Sequence, residues 1–447
     1  MHISLSEHFS YRKLLRFTFP SVIMMIFTSI YGVVDGLCVS NFVGKTPFAA
    51  INLIWPFLMI LGCAGFMIGT GGSALVSKTM GEGDPERANR YFSLLVLFTV
   101  ILGVSITIPG FFLIEPVAIL LGADEAMLPY CVTYGRILLA GQTAFMLQGV
   151  FQSFLVTAER PTLGLLVTVG AGVTNMVLDV LFIAILDWGI TGAAAATVTS
   201  QAVGGIIPLI YFLLPNKSPL RIISPKLGLL RCLRVIGKVI VNGSSELMTN
   251  ISMSVVSMLY NARLMALAGE DGIAAYGVMM YVGFVFVAVF IGFAIGSAPI
   301  VGFHYGAGNH GELKSLLRKS VILTSLAGVC MLGLSAALST PLSGIFVGYD
   351  EGLYELTRRG FLLYSFSFLF AGFGILGSSF FTALGNGGIS AAISFLRTLV
   401  FQVSAVLILP IFLGVDGIWL SVTAAEVLAT AVTATFLVGM RKKYKYI

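Results

Sequence analysis

The sequence is poor in charged residues, since Asp, Glu, Lys and Arg together make up only 10% of its 447 positions. A soluble chain carries about a quarter, so water is not the main solvent of this protein. The few cysteines lie scattered, mostly within apolar stretches, at Cys38, Cys63, Cys131, Cys232 and Cys330. This spacing excludes a disulfide framework and a CxxC metal pair.

Motifs of enzymes and ATP-driven pumps are also missing. The four histidines have no metal-ligand spacing and stand at His2, His8, His304 and His310. There is no phosphate-binding loop, nucleophile elbow or paired-histidine motif. We therefore expect no enzymatic activity, no cofactor and no firm metal site.

Long apolar stretches are what the sequence has instead, with 57% hydrophobic residues. The stretches are about 20 residues long and do not alternate with polar residues, which favours spanning helices over a β-barrel. The first 16 residues are polar and basic, and the following run is long enough to span, so it is not a cleavable signal. We predict an all-α integral membrane protein with twelve spans, at about 14–41, 51–76, 91–112, 129–157, 163–186, 190–214, 237–266, 276–300, 316–339, 355–383, 390–413 and 417–438.

The basic residues indicate the orientation, because Lys and Arg accumulate on the cytoplasmic side. With the N-terminus inside, 20 of them fall on the cytoplasmic side and 5 outside. We expect both termini to be cytoplasmic in the inner (plasma) membrane. This placement explains the net charge of +6 without a nucleic-acid partner.

The chain divides into two similar halves. We predict an N-lobe at 1–214, a cytoplasmic linker at 215–236 that is basic and proline-containing, and a C-lobe at 237–447. Three short motifs of the first half are repeated about 225 positions later. Gly72-Ser73-Ala74 is repeated as Gly296-Ser297-Ala298, Thr157-Ala158 as Thr382-Ala383, and Gly189-Ile190 as Gly417-Ile418. An even number of spans per half gives parallel repeats, related by a pseudo-twofold axis along the membrane normal. Two such bundles are a frame for alternating access.

Three polar residues of the first half share one depth. Asp35, Asp179 and Thr197 each lie six or seven residues from the outer end of their span, roughly 10 Å below the surface at 1.5 Å per residue. Asn175 lies one turn before Asp179 on the same face. Two carboxylates in a low dielectric do not both ionise easily, so this cluster predicts a proton site, and the same oxygens suit Na⁺. Alternatively, Asp35 is solvated in the outer interface and Asp179 is hydrogen-bonded packing.

The second half has its own intramembrane charges. Glu246 and Glu426 fall near the midplane, and Arg397 is placed to pair with either, which favours a structural ion pair over a functional site. Pro20 predicts a kink or hinge in the first span. The 34 Phe and 17 Met residues suit a chamber for greasy cations, but packing explains them equally well.

Several motifs together resemble the multidrug and toxic compound extrusion (MATE) family, nearest its DinF-like and MepA-like branches. They are Val33-Val34-Asp35-Gly36, Gly81-Glu82-Gly83-Asp84, Thr157-Ala158-Glu159-Arg160-Pro161, Asn175-Met176-Val177-Leu178-Asp179 and Gly189-Ile190-Thr191-Gly192-Ala193. The resemblance implies two six-helix lobes around a V-shaped cavity, and export of bulky organic cations and dyes by cation-coupled antiport. We expect a monomer.

The resemblance also assigns roles to residues. The family's first-helix acid matches Asp35, its fifth-helix Asn and Asp match Asn175 and Asp179, its sixth-helix Thr matches Thr197, and its seventh-helix acid matches Glu246. The bending proline of DinF-like members matches Pro20. NorM-like members carry an acid on the tenth helix, but 361–383 holds none, which favours H⁺ at the N-lobe cluster over a C-lobe Na⁺ site.

Three alternatives remain at this stage. A flippase for lipid-linked saccharides, from the same superfamily, needs several basic cavity residues, and only Arg397 is plainly intramembrane. A major-facilitator carrier has a basic Gly-Asp-Arg loop after span two, where this chain is acidic. A non-transporting membrane sensor needs no acids at a shared depth.

Overall fold

The computed structural model describes residues 3–446, except for the side chains at 37, 40, 41 and 45. His2 and the Lys45 side chain therefore lie outside the described part. All regular secondary structure in the described residues is helical. The first six spans are α1 Tyr11–Phe42, α2 Lys45–Gly81, α3 Pro85–Leu120, α4 Leu128–Ala140 continued by Gln142–Thr157, α5 Pro161–Ile185 and α6 Gly189–Leu213.

The other six spans begin after a non-helical connection at 214–228. They are α7 at 229–268, α8 at 270–306, α9 His310–Val347, α10 Glu351–Ser365 continued by Phe368–Ala383, α11 Gly387–Leu413 and α12 Val415–Tyr444. Residues 229–236, expected in the linker, instead form the first turns of α7.

The twelve predicted spans are confirmed, although only nine unbroken helices of the described chain are long and apolar enough to cross a membrane. One of the nine, Leu229–Gly306, has 78 residues and would measure about 117 Å, so it crosses twice. It reverses at Gly269, whose φ of 63° and ψ of −151° are not helical. The remaining two spans are α10, bent by 49°, and α4, interrupted at Gly141.

Three turns on one face of the bundle share a design. We call this the basic face, and it also holds both described chain ends and the 214–228 connection. The turns after α2, α8 and α10 each place a glycine at positive φ, at Gly83, Gly308 and Gly385. A capping side chain follows in each case, from Asp84, Asn309 and Asn386. A left-handed glycine ends one helix and the Asp or Asn begins the next, which explains the repeated Gly-x-Gly-Asp/Asn motif.

The two lobes, α1–α6 and α7–α12, meet closely toward the basic face. A side chain at Gly243 of α7 would lie 2.0 Å from the Met67 carbonyl of α2, and one at Gly306 of α8 would lie 2.0 Å from the Lys78 carbonyl. Glycine thus permits backbone contact between lobes. Toward the opposite face, each lobe has a separate apolar core, one around Ile54 and Leu139 and the other around Tyr260 and Trp419. The structure is therefore closed at the basic face.

Candidate functional site

A buried carboxyl pair occupies the N-lobe, toward the face opposite the basic one. Asp35 of α1 and Asp179 of α5 lie within hydrogen-bonding reach of one another, and the Asn175 amide approaches Asp35. The Oδ1 atom of Asp35 and both carboxylate oxygens of Asp179 are buried, and no N–H or O–H among the described residues completes a hydrogen bond to them. Depth counting along the sequence placed Asp35 and Asp179 at one level, and the structure has these two residues in contact. Two carboxyl groups in such contact need a shared proton or a cation between them.

The backbone changes form at this pair. After Asp179, α5 continues as a π-helical turn at Val180–Ile185. Such turns are rare and frequently mark functional sites. In this turn the backbone hydrogen bonds span five residues instead of the four of an α-helix. The turn lies directly beside the carboxyl pair, and the sequence pattern does not indicate it.

Thr197 lies one contact further from the pair. Its hydroxyl donates to the Ala193 carbonyl at 3.0 Å, and it is also within reach of the buried Tyr134 hydroxyl on α4. No hydrogen bond joins Thr197 to Asp35 in the described part of the chain. Tyr134 itself faces both carboxyl groups, and Tyr31 lies one helical turn before Asp35 on α1. Neither tyrosine was predicted from the sequence, although the i, i+4 spacing of Tyr31 and Asp35 is a signal for Tyr31.

The oxygens of this cluster suit a small hard cation. Carboxylate and amide oxygens are what Na⁺ or a proton requires, and Asp35, Asp179 and Asn175 supply them within one buried contact. No group of three or more His, Cys, Asp and Glu residues that would hold a metal ion occurs in the described residues. The cluster thus fits a monovalent ion or a proton better than a transition metal.

A second polar site lies in a cavity of about 300 Å³ between the lobes. Its walls come mainly from α7, α8, α10, α11 and α12, while Thr70, Ser73 and Ser153 of the N-lobe close one side. Glu246 lies in its wall, and its carboxylate has no hydrogen bond or ion pair with any residue of the described chain. This placement puts an acid where a bound molecule reaches it.

Arg397 and Glu426 form an ion pair in the same wall. The Arg397 Nη2 atom lies 2.8 Å from Oε1 of Glu426, and the side chains are only 14% and 3% exposed. The sequence allowed Arg397 to pair with either Glu246 or Glu426. In the structure it binds Glu426 and does not contact the Glu246 carboxylate. Arg397 lies within the π-helical turn Leu396–Val400. Two carboxylates and one guanidinium give the cavity a formal charge of −1.

Aromatic and sulfur-containing side chains complete the wall. Tyr260 and Tyr276 stack with ring centroids 5.2 Å apart, and the Tyr260 hydroxyl lies 2.6 Å from the Ser421 hydroxyl. Met253 and Met280 also line the cavity. These two methionines therefore face the cavity, and the tyrosines were not predicted, because nothing in their spacing marks them.

Pro20 lies where α1 passes between the lobes. A side chain at Gly296 of α8 would meet Thr18, and one at Gly292 would lie 2.5 Å from the Val22 Cα atom. One turn later α1 packs on the N-lobe, where Gly172 of α5 faces Phe27. The helix runs unbroken from Tyr11 to Phe42, so Pro20 does not interrupt it here.

Comparison with known proteins agrees with this architecture. The MatE family model matches residues 20–181 and again 247–408, once in each lobe. The multidrug export protein MepA of Staphylococcus saprophyticus is 25% identical over 81% of this chain and 80% of its own. MepA of Staphylococcus aureus strain NCTC 8325 is 21% identical over 93% and 91%.

Solved structures share the fold. One described as the outward-facing conformation of a multidrug resistance MATE family transporter has a TM-score of 0.92 at 22% identity, covering 98% of both chains. A transporter from Pyrococcus furiosus, whose binding pocket is described as having reverse polarity, has a TM-score of 0.90 at 22% identity, covering 98% of this chain and 97% of its own. Since the family model covers most of the sequence and repeats across both lobes, the chain belongs to the MATE family of membrane transporters.

Proposed function

We propose that this protein exports bulky hydrophobic organic cations by antiport with protons, alternating access to the cavity between the two faces. The observation that carries the proposal is the buried contact between Asp35 and Asp179, in which three carboxylate oxygens accept no hydrogen bond from the described residues. Two carboxyl groups placed this way bind one proton between them and release it when the surroundings change. The names of the MepA relatives support the substrate class.

The cavity supports a cationic substrate. Its formal charge is −1, and Glu246 presents a carboxylate that no neighbour neutralises. The faces of Tyr260 and Tyr364 and the sulfur of Met253 suit a flat or greasy cation of variable shape. A single positive charge on the substrate balances the cavity.

The orientation follows from the basic face. Twenty of the 26 Lys and Arg residues are assigned to it, so we place it in the cytoplasm. The closed contact between lobes on that face then makes this an outward-facing arrangement. Export requires the basic face to open, accept the substrate and close again.

A sugar-lipid flippase has less support. A pyrophosphate needs free positive charge, and Arg397, the intramembrane base considered for it, binds Glu426 instead. The unpaired carboxyl group of Glu246 also offers such a substrate no positive charge.

Dye uptake into inverted membrane vesicles, which corresponds to export from the cell, tests the proposal. The protein is present in the vesicle membrane, and either a pH gradient or a Na⁺ gradient is imposed across that membrane. The uptake of a cationic dye into the vesicles is then followed. We expect the pH gradient to drive uptake and the Na⁺ gradient to fail. If only the Na⁺ gradient drives uptake, the coupling ion at the Asp35–Asp179 pair is Na⁺ and not the proton. Uptake with neither gradient would refute antiport.

A further inference from the structure

The segment that precedes α1 lies across the basic face and contacts both lobes. Leu5 and Phe9 are fully buried, in a core to which Ile300 and Leu316 of the C-lobe and Val156 of the N-lobe belong. Leu5 and Phe9 thus belong to the interior, although residues 3–10 have no regular structure and stand outside both stretches that the family model matches. An exposed tail would not bury two large apolar side chains.

Glu159 anchors this segment to the N-lobe. Its Oε1 atom accepts the Leu5 N–H at 2.7 Å and the Ser4 hydroxyl at 2.8 Å. Glu159 occupies the turn between α4 and α5 at a φ of 59°, the position at which the three comparable turns use glycine. A left-handed conformation is costly for a residue with a side chain. The carboxylate therefore offsets a strain that glycine at this position would avoid.

Glu312 anchors the same segment to the C-lobe. Its Oε1 atom accepts the Phe9 N–H at 2.9 Å, and its Oε2 atom lies 2.5 Å from Nδ1 of His8. Lys319 donates to the Phe9 carbonyl, and the Phe9 ring meets His304 edge-on at 6.4 Å. Glu312 is itself buried, whereas Glu159 is only partly buried.

We propose that residues 3–10 form an inter-lobe clasp that holds the basic face shut, and that its release from Glu159 is a required step of opening. When the lobes separate at this face, the segment cannot stay bound to both Glu159 and Glu312. The Glu159 contact is the weaker one, because its carboxylate is only partly buried and stands in a strained turn while Glu312 is buried, so it breaks first. The clasp rests on the proposed function in one respect, namely that the basic face opens during transport. It does not depend on which molecule is transported or which ion drives the transport.

The distance between the lobes tests the clasp without any transport assay. In full-length protein lacking the five native cysteines, spin labels are attached at Glu86→Cys on α3 and Lys314→Cys on α9, both exposed on the basic face. Pulsed electron resonance in lipid nanodiscs then measures how many molecules have a long inter-lobe distance. Glu159→Gly removes the carboxylate and keeps a residue suited to positive φ. We expect it to raise the open-to-closed ratio roughly tenfold, which equals about 1.4 kcal/mol.

Two further variants make the test decisive. Deletion of residues 2–9 should raise the open population as Glu159→Gly does, and if the deleted chain fails to fold, Glu159→Gly alone decides. Glu355→Gln is the matched control, because that carboxylate binds Arg358 on its own helix, on the other face. An unchanged distance distribution in folded Glu159→Gly protein would overturn the clasp. So would a shift in Glu159→Gly that a folded deletion variant does not share, since the turn and not the segment would then set the equilibrium.

Discussion

Arg397 and Glu426 join α11 to α12 through three close nitrogen–oxygen contacts: Nε lies 3.0 Å from Oε1 and 2.9 Å from Oε2, and Nη2 lies 2.8 Å from Oε1. Glu426 is almost fully buried, so its charge depends on this partner. The pair forms part of the cavity wall without occupying the position of Glu246. Its contribution to stability is therefore separable from the contribution of Glu246 to binding.

Removal of Arg397 should destabilise the protein. Arg397→Ala leaves the Glu426 carboxylate buried and unpaired, at a cost of about 3 kcal/mol in the free energy of unfolding. Thermal unfolding in detergent measures this as a lower midpoint. Arg397→Met combined with Glu426→Leu replaces the pair by apolar groups of similar size and should restore most of the stability. If Arg397→Ala is as stable as the wild type, the pair is not structural.

Glu246→Gln should weaken substrate binding without uncoupling transport. A charge-assisted contact to a cationic dye is lost, which we expect to raise the Kd about tenfold, or about 1.4 kcal/mol. Dye fluorescence anisotropy on purified protein measures the change. A neutral dye of the same size is the control and should bind both proteins alike. Equal binding of the cationic dye to both would place the recognition site elsewhere.

Depth along the helices was predictable from the sequence, whereas helix rotation was not. Counting at 1.5 Å per residue placed Asp35 and Asp179 at one level, and the structure has them in contact. The choice of partner for Arg397 depends on how α7, α11 and α12 are rotated about their axes, and a sequence of uniformly apolar helices carries little signal for that. The same limit concealed Tyr134, which faces the carboxyl pair from a fourth helix.

Contacts between distant segments were also beyond the sequence pattern. The first ten residues read only as a polar and basic tail, yet their partners stand 154 and 303 positions away, at Glu159 and Glu312. Glu159 itself belonged to a recognised motif, but its left-handed conformation follows from the turn it completes. Local residue preferences favour glycine there, so the exception became visible only in three dimensions.

Both faces can be assigned by cysteine labelling in cells. In a cysteine-free background, Lys226→Cys on the 214–228 connection should resist a membrane-impermeant maleimide added outside, as the proposed cytoplasmic placement of the basic face requires. Tyr349→Cys, on the exposed turn between α9 and α10, should react fully. Permeabilised cells provide the control, in which both positions are labelled. Labelling of Lys226→Cys in intact cells would invert the topology and, with it, the direction of transport.

Pro20→Ala should slow export several-fold while leaving dye affinity unchanged. Alanine at this position restores the backbone hydrogen bond to the Arg16 carbonyl. It also stiffens α1 near the point where its packing partner changes from α8 to the N-lobe. Stopped-flow measurement of efflux, together with equilibrium dye binding, separates rate from affinity. Pro109→Ala in the lipid-exposed part of α3 is the matched control and should not alter the rate. Export at the wild-type rate would exclude a hinge at Pro20.

Asp35→Asn should abolish proton-driven export, with at least about a tenfold loss in the initial rate of dye efflux. Asparagine keeps the shape of the side chain but cannot exchange a proton, so the contact with Asp179 no longer titrates as a pair. Asp179→Asn should cause a similar loss, and the double variant should be no worse than either single one, because residues that act as a unit are not additive.

The control for this loss is Glu125→Gln, which removes an exposed carboxylate from the loop between α3 and α4 on the same side of the membrane. It should export normally. Membrane levels measured in parallel show whether each variant is inserted. Dye binding to Asp35→Asn should stay near the wild-type value, since the cavity around Glu246 is unchanged. If inserted Asp35→Asn protein pumps dye at the wild-type rate under a pH gradient, the coupling proton is carried elsewhere, and the Asp35–Asp179 contact is packing alone.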